Sequence, residues 1–331
     1  MKSVHLVIVD LFLPGKFSKE VCAQLRLPVL EKILARGVAA NDATRCSFEA
    51  ALCGLFNLTG GIAPVSAAFD GLDKGCWLRA DPVHMRLQRD QVVLLPVVVS
   101  NEESVQLCTS LNAHFSALGL MFFAPHPERW YLRLDKLPDM NSVPLSQMIG
   151  RDIRENLPAG ADARYWHQLF NEIQMLLFAH PLNEQREARG ENPVNSVWFW
   201  GAGREVAARA QYDSISSDVV LPEMLAAAAG MPFLPWSSSW RGPEGRQLLV
   251  WNGLKNAIQS GDLAAWRDEL QDFETAYLQP LWHALRSGKV AQLQVDIVSS
   301  KGVQQLKLTR GDSWAFWRRS KPLADYSAEH A

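Results

Sequence analysis

The sequence predicts an α/β protein in which a largely parallel sheet lies between helices and carries a smaller inserted region. Three observations predict it. The stretch VHLVIVD (residues 4–10) is apolar on both alternating faces, the pattern of a parallel strand covered by helices. FSKEVCAQLRLPVLEKILARG follows, with helical spacing and Gly37 as its stop, and strand followed by helix favours α/β architecture. The 331 residues leave room for one large α/β domain or for a core with a sizeable insert. The core is expected at 1–75 and 190–331, and the inserted α/β region at 76–189.

The remaining elements follow in order. QVVLLPVVVS reads as a strand, EESVQLCTSLNAHFSALG as an amphipathic helix and RWYLRLD as another strand. From Arg164, YWHQLFNEIQMLLFAHPLNEQREARG keeps a helical period to Gly190, and NSVWFWGAG is a strand running into a glycine turn. LPEMLAAAAG is a short helix, QLLVWNG a strand, and LAAWRDELQDFETAYLQPLWHALRSG a long helix closed by Gly288. VAQLQVDIVS and VQQLKLTR are two last strands before a polar tail, and SSSWRGPEG (237–245) is the longest exposed loop expected.

Composition narrows the function classes. Hydrophobic residues make up 48% of the chain, enough for a substantial core, and a net charge of -2 gives no global basic field for nucleic acid. Five cysteines, an odd number without paired metal-type spacing, point to reduced thiols rather than a disulfide framework or structural zinc. The N-terminal apolar run is too short to span a bilayer and has no small-residue cleavage site. A cytoplasmic protein with neither a nucleic-acid nor a membrane partner is expected.

Several side chains are candidates on their chemistry. Asp10 ends the first apolar run, and a turn or capping carboxylate is its plain reading. Arg79, Asp81, His84 and Arg86 lie within eight residues. An extended strand puts Arg79 and Asp81 on one face with Val83, and His84 and Arg86 on the other. Two arginines beside a histidine could bind a phosphate or carboxylate, or form a structural ion-pair cluster. His180, Asn183 and Arg186 are spaced by three on one helix face, as a ligand-facing or a packing stripe. WFWGAG lacks the third glycine and the acidic residue of a dinucleotide fingerprint. WAFWRR mixes aromatic and basic residues as single-strand binders do. In a near-neutral chain with twelve tryptophans, a last strand packed on the core is expected there instead.

The stretch HPLNEQREARGENPVNSVWFWGAG (180–203) resembles the archaeal-type cofactor-independent phosphoglycerate mutases. These have a similar helix with His-Pro, Asn and Arg, then a Pro-Asn pair and a Trp-rich strand ending in glycines. ADPVHMR (80–86) also matches, and LRADPVHMRLQRD with NSVWFWGAG looks most like the bacterial RpfE-type regulatory proteins. The resemblance implies the fold of the alkaline phosphatase superfamily, with a site at the carboxyl ends of the strands, and it makes Asp10 the first metal-binding aspartate.

Phosphoryl transfer in that superfamily uses two divalent ions about 4 Å apart and a Ser or Thr nucleophile. Laying VWNGLKNAIQSGDLAAWRDELQDFE on the mutases, with Gly261 and Asp262 as anchor, puts Lys255 on a metal aspartate and Gln259 on a metal histidine. No Asp-His dipeptide exists for the second centre, and after His283 the next histidine is His330. For the nucleophile, DATRCSFEAALCGLF offers Thr44 or Ser47 without the family's glycine and aspartate, and a helix N-cap is the ordinary reading of either. A vestigial Asp10 site is therefore expected, with Lys255 placing its ammonium near Asp10 in place of a metal. The function implied is a catalytically degenerate mutase-like protein in a regulatory or binding role. It would take a phosphorylated or acidic small molecule, or a protein partner, and no cofactor. The alternative is an active mutase or phosphatase using Mn or Zn, for which Asp10, Asp262, Asp296 and scattered histidines would have to converge.

Overall fold

β1 (Ser3–Val9) is buried from Val4 to Val9 because parallel strands flank it on both sides, β10 (Arg246–Trp251) and β11 (Gln292–Ser299). The computed structural model describes residues 2–13, 21–22, 25–39, 46–154, 156–205, 207–242, 245–299 and 301–330. The chain divides into two units, Met1–Asn57 with Ala208–Ala331, and Leu58–Ala207.

In the first unit the sheet of the described residues runs β2 (Val38–Ala39), β12 (Gly302–Thr309), β11, β1, β10, β8 (Ser214–Ser217), β9 (Phe233–Pro235). β8 and β9 continue the parallel set, while β12 and β2 are antiparallel at one edge. One face buries Leu6, Ile8, Leu249, Trp251, Val295 and Ile297 against the helices Pro28–Arg36, Leu263–Phe273 and Gln279–Ser287. The helices Phe48–Leu55 and Val220–Ala228 lie against β11 and β8. The expected class, α/β with a mostly parallel sheet, is the one observed.

Two helices of the first unit differ from expectation, each at a proline. In the 17–37 stretch, Val21 and Cys22 are helical, but Leu25–Leu27 are not, and a new helix starts at Pro28. Residues 17–20 and 23–24 lie outside the described residues. A residue before proline is pushed out of helical geometry, and Leu27 takes φ -125°. Glu274 accepts from the N–H groups of Val29 (2.7 Å) and Leu30 (3.0 Å), closing the first turn of this helix. The long helix expected to end at Gly288 is interrupted by a π turn, Glu274–Leu278, just ahead of Pro280. Proline has no N–H for the carbonyl four residues back. That carbonyl, on Ala276, accepts instead from Trp240 N–H at 3.0 Å.

The second unit is built on β3 (Cys76–Gln88), antiparallel along one side to β7 (Ser196–Arg204). Its other side pairs with β6 (Arg129–Leu134) over Cys76–Arg79 and with β4 (Gln91–Pro96) over Val83–Gln88. Pro82, which cannot donate to a ladder, falls in the interval between these two partners. β5 (Met121–His126) completes this sheet beside β6. The unit extends beyond the expected 76–189 at both ends. β7 joins β3 rather than the parallel sheet, and the Ala63–Phe69 helix packs on both. The single helix expected over 164–190 is two, Ala163–Phe178 and Pro181–Ala188, divided where His180 caps the second.

WAFWRR is not a strand. β12 ends at Thr309, whose hydroxyl and N–H engage Asp312 in a capping box, and Trp314, Phe316 and Trp317 stand exposed beyond it. All five cysteines are free. Among the described residues no helix is long and apolar enough to cross a membrane.

Candidate functional site

The carboxyl edge of the parallel sheet in the first unit is where an open α/β sheet places a site. β1 delivers Asp10 there. Its N–H donates to Val298 O at 2.8 Å, and its φ of +53° is left-handed, a conformation that Asp tolerates better than most residues. Leu11 and Leu13, both buried, then anchor the outgoing chain. β8 delivers Ser217 and Asp218. Both Asp218 oxygens accept from Asn252 N–H, at 2.9 and 3.0 Å, which ties the end of β8 to the end of β10. Desolvation pushes the Asp218 carboxyl above its ordinary pKa, and Glu269 adds to the rise.

β10 ends in Trp251, stacked on Phe273 with ring centres 3.7 Å apart. A side chain at Gly253 would come within 2.6 Å of the Trp251 ring, so this turn needs glycine. The short helix Lys255–Ser260 follows. Gly261 (φ +70°) stops it, and Asp262 caps the next helix by accepting from Ala264 and Ala265 N–H. Lys255 is half-buried and Gln259 exposed. No Asp10–Lys255 pair occurs among the ion pairs of the described residues. Ser47 caps the Phe48–Leu55 helix, accepting from Ala50 N–H at 3.0 Å. Thr44 lies outside the described residues.

Among the described residues, the side chains at this edge do not make up the donor set of a two-ion centre. Among the described residues, no three His, Cys, Asp or Glu side chains converge on a point. A lysine ammonium has no lone pair to offer, and Asp262 is committed to a helix cap. Asp296 lies within the sheet, 2.9 Å from His5 Nε2 in a contact that lacks hydrogen-bond alignment, and it accepts from the Gln294 and Gln305 amides. His5 Nδ1 meets Tyr212 Oη at 2.6 Å. This buried polar cluster lies toward the amino ends of the strands, beside a cleft of about 350 Å³. Sequence reading missed it, although a histidine inside VHLVIVD was the available signal.

The candidates in the second unit bond mainly to one another and to the backbone. Arg79 Nε and Nη2 lie 2.9 and 2.8 Å from Asp81 Oδ1, and Trp200 Nε1 donates to Asp81 Oδ2 at 2.7 Å. The Arg79 guanidinium lies over the Tyr131 and Trp200 rings, at 5.3 and 5.1 Å. Burial pushes the Asp81 carboxyl up, against the pull of Arg79 and the Trp200 hydrogen bond. His84 Nδ1 lies 3.0 Å from Pro193 O, and burial holds its pKa below the usual imidazole value. Arg86 is exposed.

Asn183 donates to Leu177 O and Val194 O and accepts from Val194 N–H. Arg186 donates to Asn192 O and Val98 O and pairs with Glu103. Asn195 accepts from Met85 N–H at 2.7 Å and donates to Met85 O at 2.8 Å, acting as one further ladder residue beside β3. These residues fasten the helix-to-strand connection. A Cβ at Gly203 would lie 2.7 Å from Gly61 N, so the glycine turn serves a close backbone approach.

No family model matches the chain. It is 38% identical over 151 residues to a probable 2,3-bisphosphoglycerate-independent phosphoglycerate mutase of Geobacter sulfurreducens, covering 44% of this chain and 38% of that protein. It is 32% identical over 107 residues to the 2,3-bisphosphoglycerate-independent phosphoglycerate mutase of Methanosarcina barkeri, covering 32% of this chain and 27% of that one. The matches thus span less than half the length of these curated relatives. Among solved structures, the PH0037 protein of Pyrococcus horikoshii is similar at a TM-score of 0.52 and 13% identity, covering 92% of this chain and 86% of that one. That likeness is one of fold. A cofactor-independent phosphoglycerate mutase of Thermoplasma acidophilum is similar at a TM-score of 0.49 and 15% identity, over 99% of this chain and 95% of that one.

Proposed function

We propose that this chain is a phosphoglycerate-mutase-like protein with an alkaline-phosphatase-like core that has lost two-metal phosphoryl transfer. It keeps the carboxyl edge of its sheet for a phosphorylated or acidic ligand, in a regulatory role of the RpfE type, in the cytoplasm. The observation that carries this reading is the donor set at that edge. Lys255 and Gln259 stand where an aspartate and a histidine would be needed, and Asp218 spends both oxygens on a backbone N–H. The Lys255 ammonium, with no carboxylate in ion-pair reach among the described residues, offers an anion the charge that metal ions would otherwise supply. The mutase names of the curated relatives support the ancestry.

A second reading, an active mutase or phosphatase with rearranged Mn or Zn ligands, draws on Asp10 and Asp218, which both end parallel strands at this edge. Metal analysis after incubation with manganese or zinc, together with calorimetric titration of 3-phosphoglycerate, separates the two. Less than one metal ion per chain is expected, with no turnover. Binding of 3-phosphoglycerate should weaken about tenfold or more in Lys255→Ala, the loss of one charge-assisted contact. Two bound ions with turnover that disappears in Asp10→Ala would establish the second reading. Unchanged binding in Lys255→Ala would remove the lysine from the site.

A further inference from the structure

An aromatic spur projects beyond β12. Thr309 caps the turn Arg310–Ser313 through Asp312, and the chain then bends at Ala315, which is buried. Arg36 Nη1 donates to Ser313 O at 2.6 Å, and Arg318 Nη1 donates to Arg36 O at 2.9 Å. Both limbs of the bend are therefore tied to the Pro28–Arg36 helix. On this fixed base Trp314, Phe316 and Trp317 are 53%, 79% and 69% exposed. Three large apolar side chains within four residues make a concentrated patch, of the kind that marks an interaction site.

The surroundings of the patch are cationic. The Arg286 guanidinium lies 4.1 Å from the Trp314 ring centre, and Arg310 Nε donates to Arg286 O at 3.1 Å. Arg318 and Arg319 follow the aromatic pair directly. All four arginines are exposed, and among the described residues none has a carboxylate within ion-pair distance.

We propose that this spur docks the protein on the surface of an anionic lipid bilayer. The rings of Phe316 and Trp317 enter the headgroup boundary, and Arg286, Arg310, Arg318 and Arg319 contact lipid phosphates. Aromatic rings prefer that boundary, and each neighbouring cation adds attraction to anionic lipid. A chain of net charge -2 has no global pull on such a surface, so the attraction is local. The expectation of no membrane partner rests on an N-terminal run too short to span a bilayer, which does not bear on a surface patch. The ring geometry favours lipid over single-stranded nucleic acid. Bases stack on open ring faces. Here one face of Trp314 is covered by Arg286, and Phe316 and Trp317 meet edge to face at 78°. The spur does not depend on the strand-edge reading.

Flotation of the full chain with vesicles tests this, comparing phosphatidylcholine alone with a mixture containing about 30% phosphatidylglycerol. The expected result is binding to the anionic vesicles only, weakened by added salt because the charges are screened. Phe316→Ser with Trp317→Ser, and separately Arg318→Glu with Arg319→Glu, should each reduce it about tenfold or more. The exposed aromatic pair leaves the melting temperature unchanged as a folding control. Arg318→Glu also removes the bond to Arg36 O, so Arg319→Glu alone, with an unchanged melting temperature, is the control for the charge pair. No binding to anionic vesicles overturns the proposal. So does binding indifferent to the aromatic pair, capture of a (dT)20 oligonucleotide in place of vesicles, or a self-association abolished by the same pair.

Discussion

Asp10 leaves β1 with a φ of +53°. A residue with an ordinary Cβ pays roughly 1–2 kcal/mol for that conformation, whereas Asp and Asn adopt it readily. A turn role for Asp10 and a role for its charge therefore come apart in substitution. Asp10→Asn keeps the turn and removes only the charge, so it should lose less stability in urea unfolding than Asp10→Ala, which loses about 1–2 kcal/mol more for the backbone conformation alone. Equal losses in both variants would show that the carboxylate charge, not the turn, is what stability uses. The sequence alone made Asp10 conspicuous, but a backbone angle is not written in composition. By contrast, the pairing of Arg79 with Asp81 was legible, since a strand period of two puts them on one face. Their third partner, Trp200, was not, because it lies 119 residues away in sequence.

At the scale of elements, prolines decide where the helical period misleads. The period continues through His180-Pro181 and through Gln279-Pro280. In the first case the chain breaks and His180 caps a new helix, accepting from Leu182 N–H at 3.2 Å. In the second the helix survives as a π turn, with the freed Ala276 carbonyl taken by Trp240. Pattern alone does not distinguish these outcomes, because the deciding partner at 276 is supplied from a loop. The motif 180–203 marked an important connection, in which Asn183 and Asn195 bond to backbone and Arg186 bonds both to backbone and to Glu103. Asn195→Ala leaves the Met85 N–H and C=O without their partner, and about 2–3 kcal/mol of stability should be lost. Arg86→Ala, at an exposed position on the same strand, should change it by less than about 0.5 kcal/mol. Amide exchange at Met85 should accelerate in the first variant only; unchanged protection there would mean that the side chain does not extend the ladder.

Over the whole molecule, alternation of strand and helix was enough to read the class, but not the allegiance of each strand. β7 is as apolar as a parallel core strand and nonetheless joins the antiparallel sheet on β3, so the second unit reaches Ala207 rather than 189. The two units also carry carboxylates with opposite linkage to pH. In the second, burial raises the Asp70 pKa, but hydrogen bonds from Arg129 and Tyr131 outweigh it and hold the group below its ordinary value. Its contribution is complete above about pH 4 and is lost as pH falls through the lowered pKa. In the first, burial holds Glu274 above its ordinary value despite the Val29 and Leu30 N–H donors. The folded state then binds that proton more tightly than the unfolded chain, so stability from this group falls as pH rises from about 4.3 through the raised pKa. Urea midpoints between pH 3 and 7 read both signs. Asp70→Asn should be less stable than the parent at pH 7 and decline less on going from pH 4 to 3. Glu274→Gln should improve relative to the parent as pH rises above about 4, because only the parent then deprotonates a buried carboxyl. Parallel pH profiles for parent and variants would overturn both assignments.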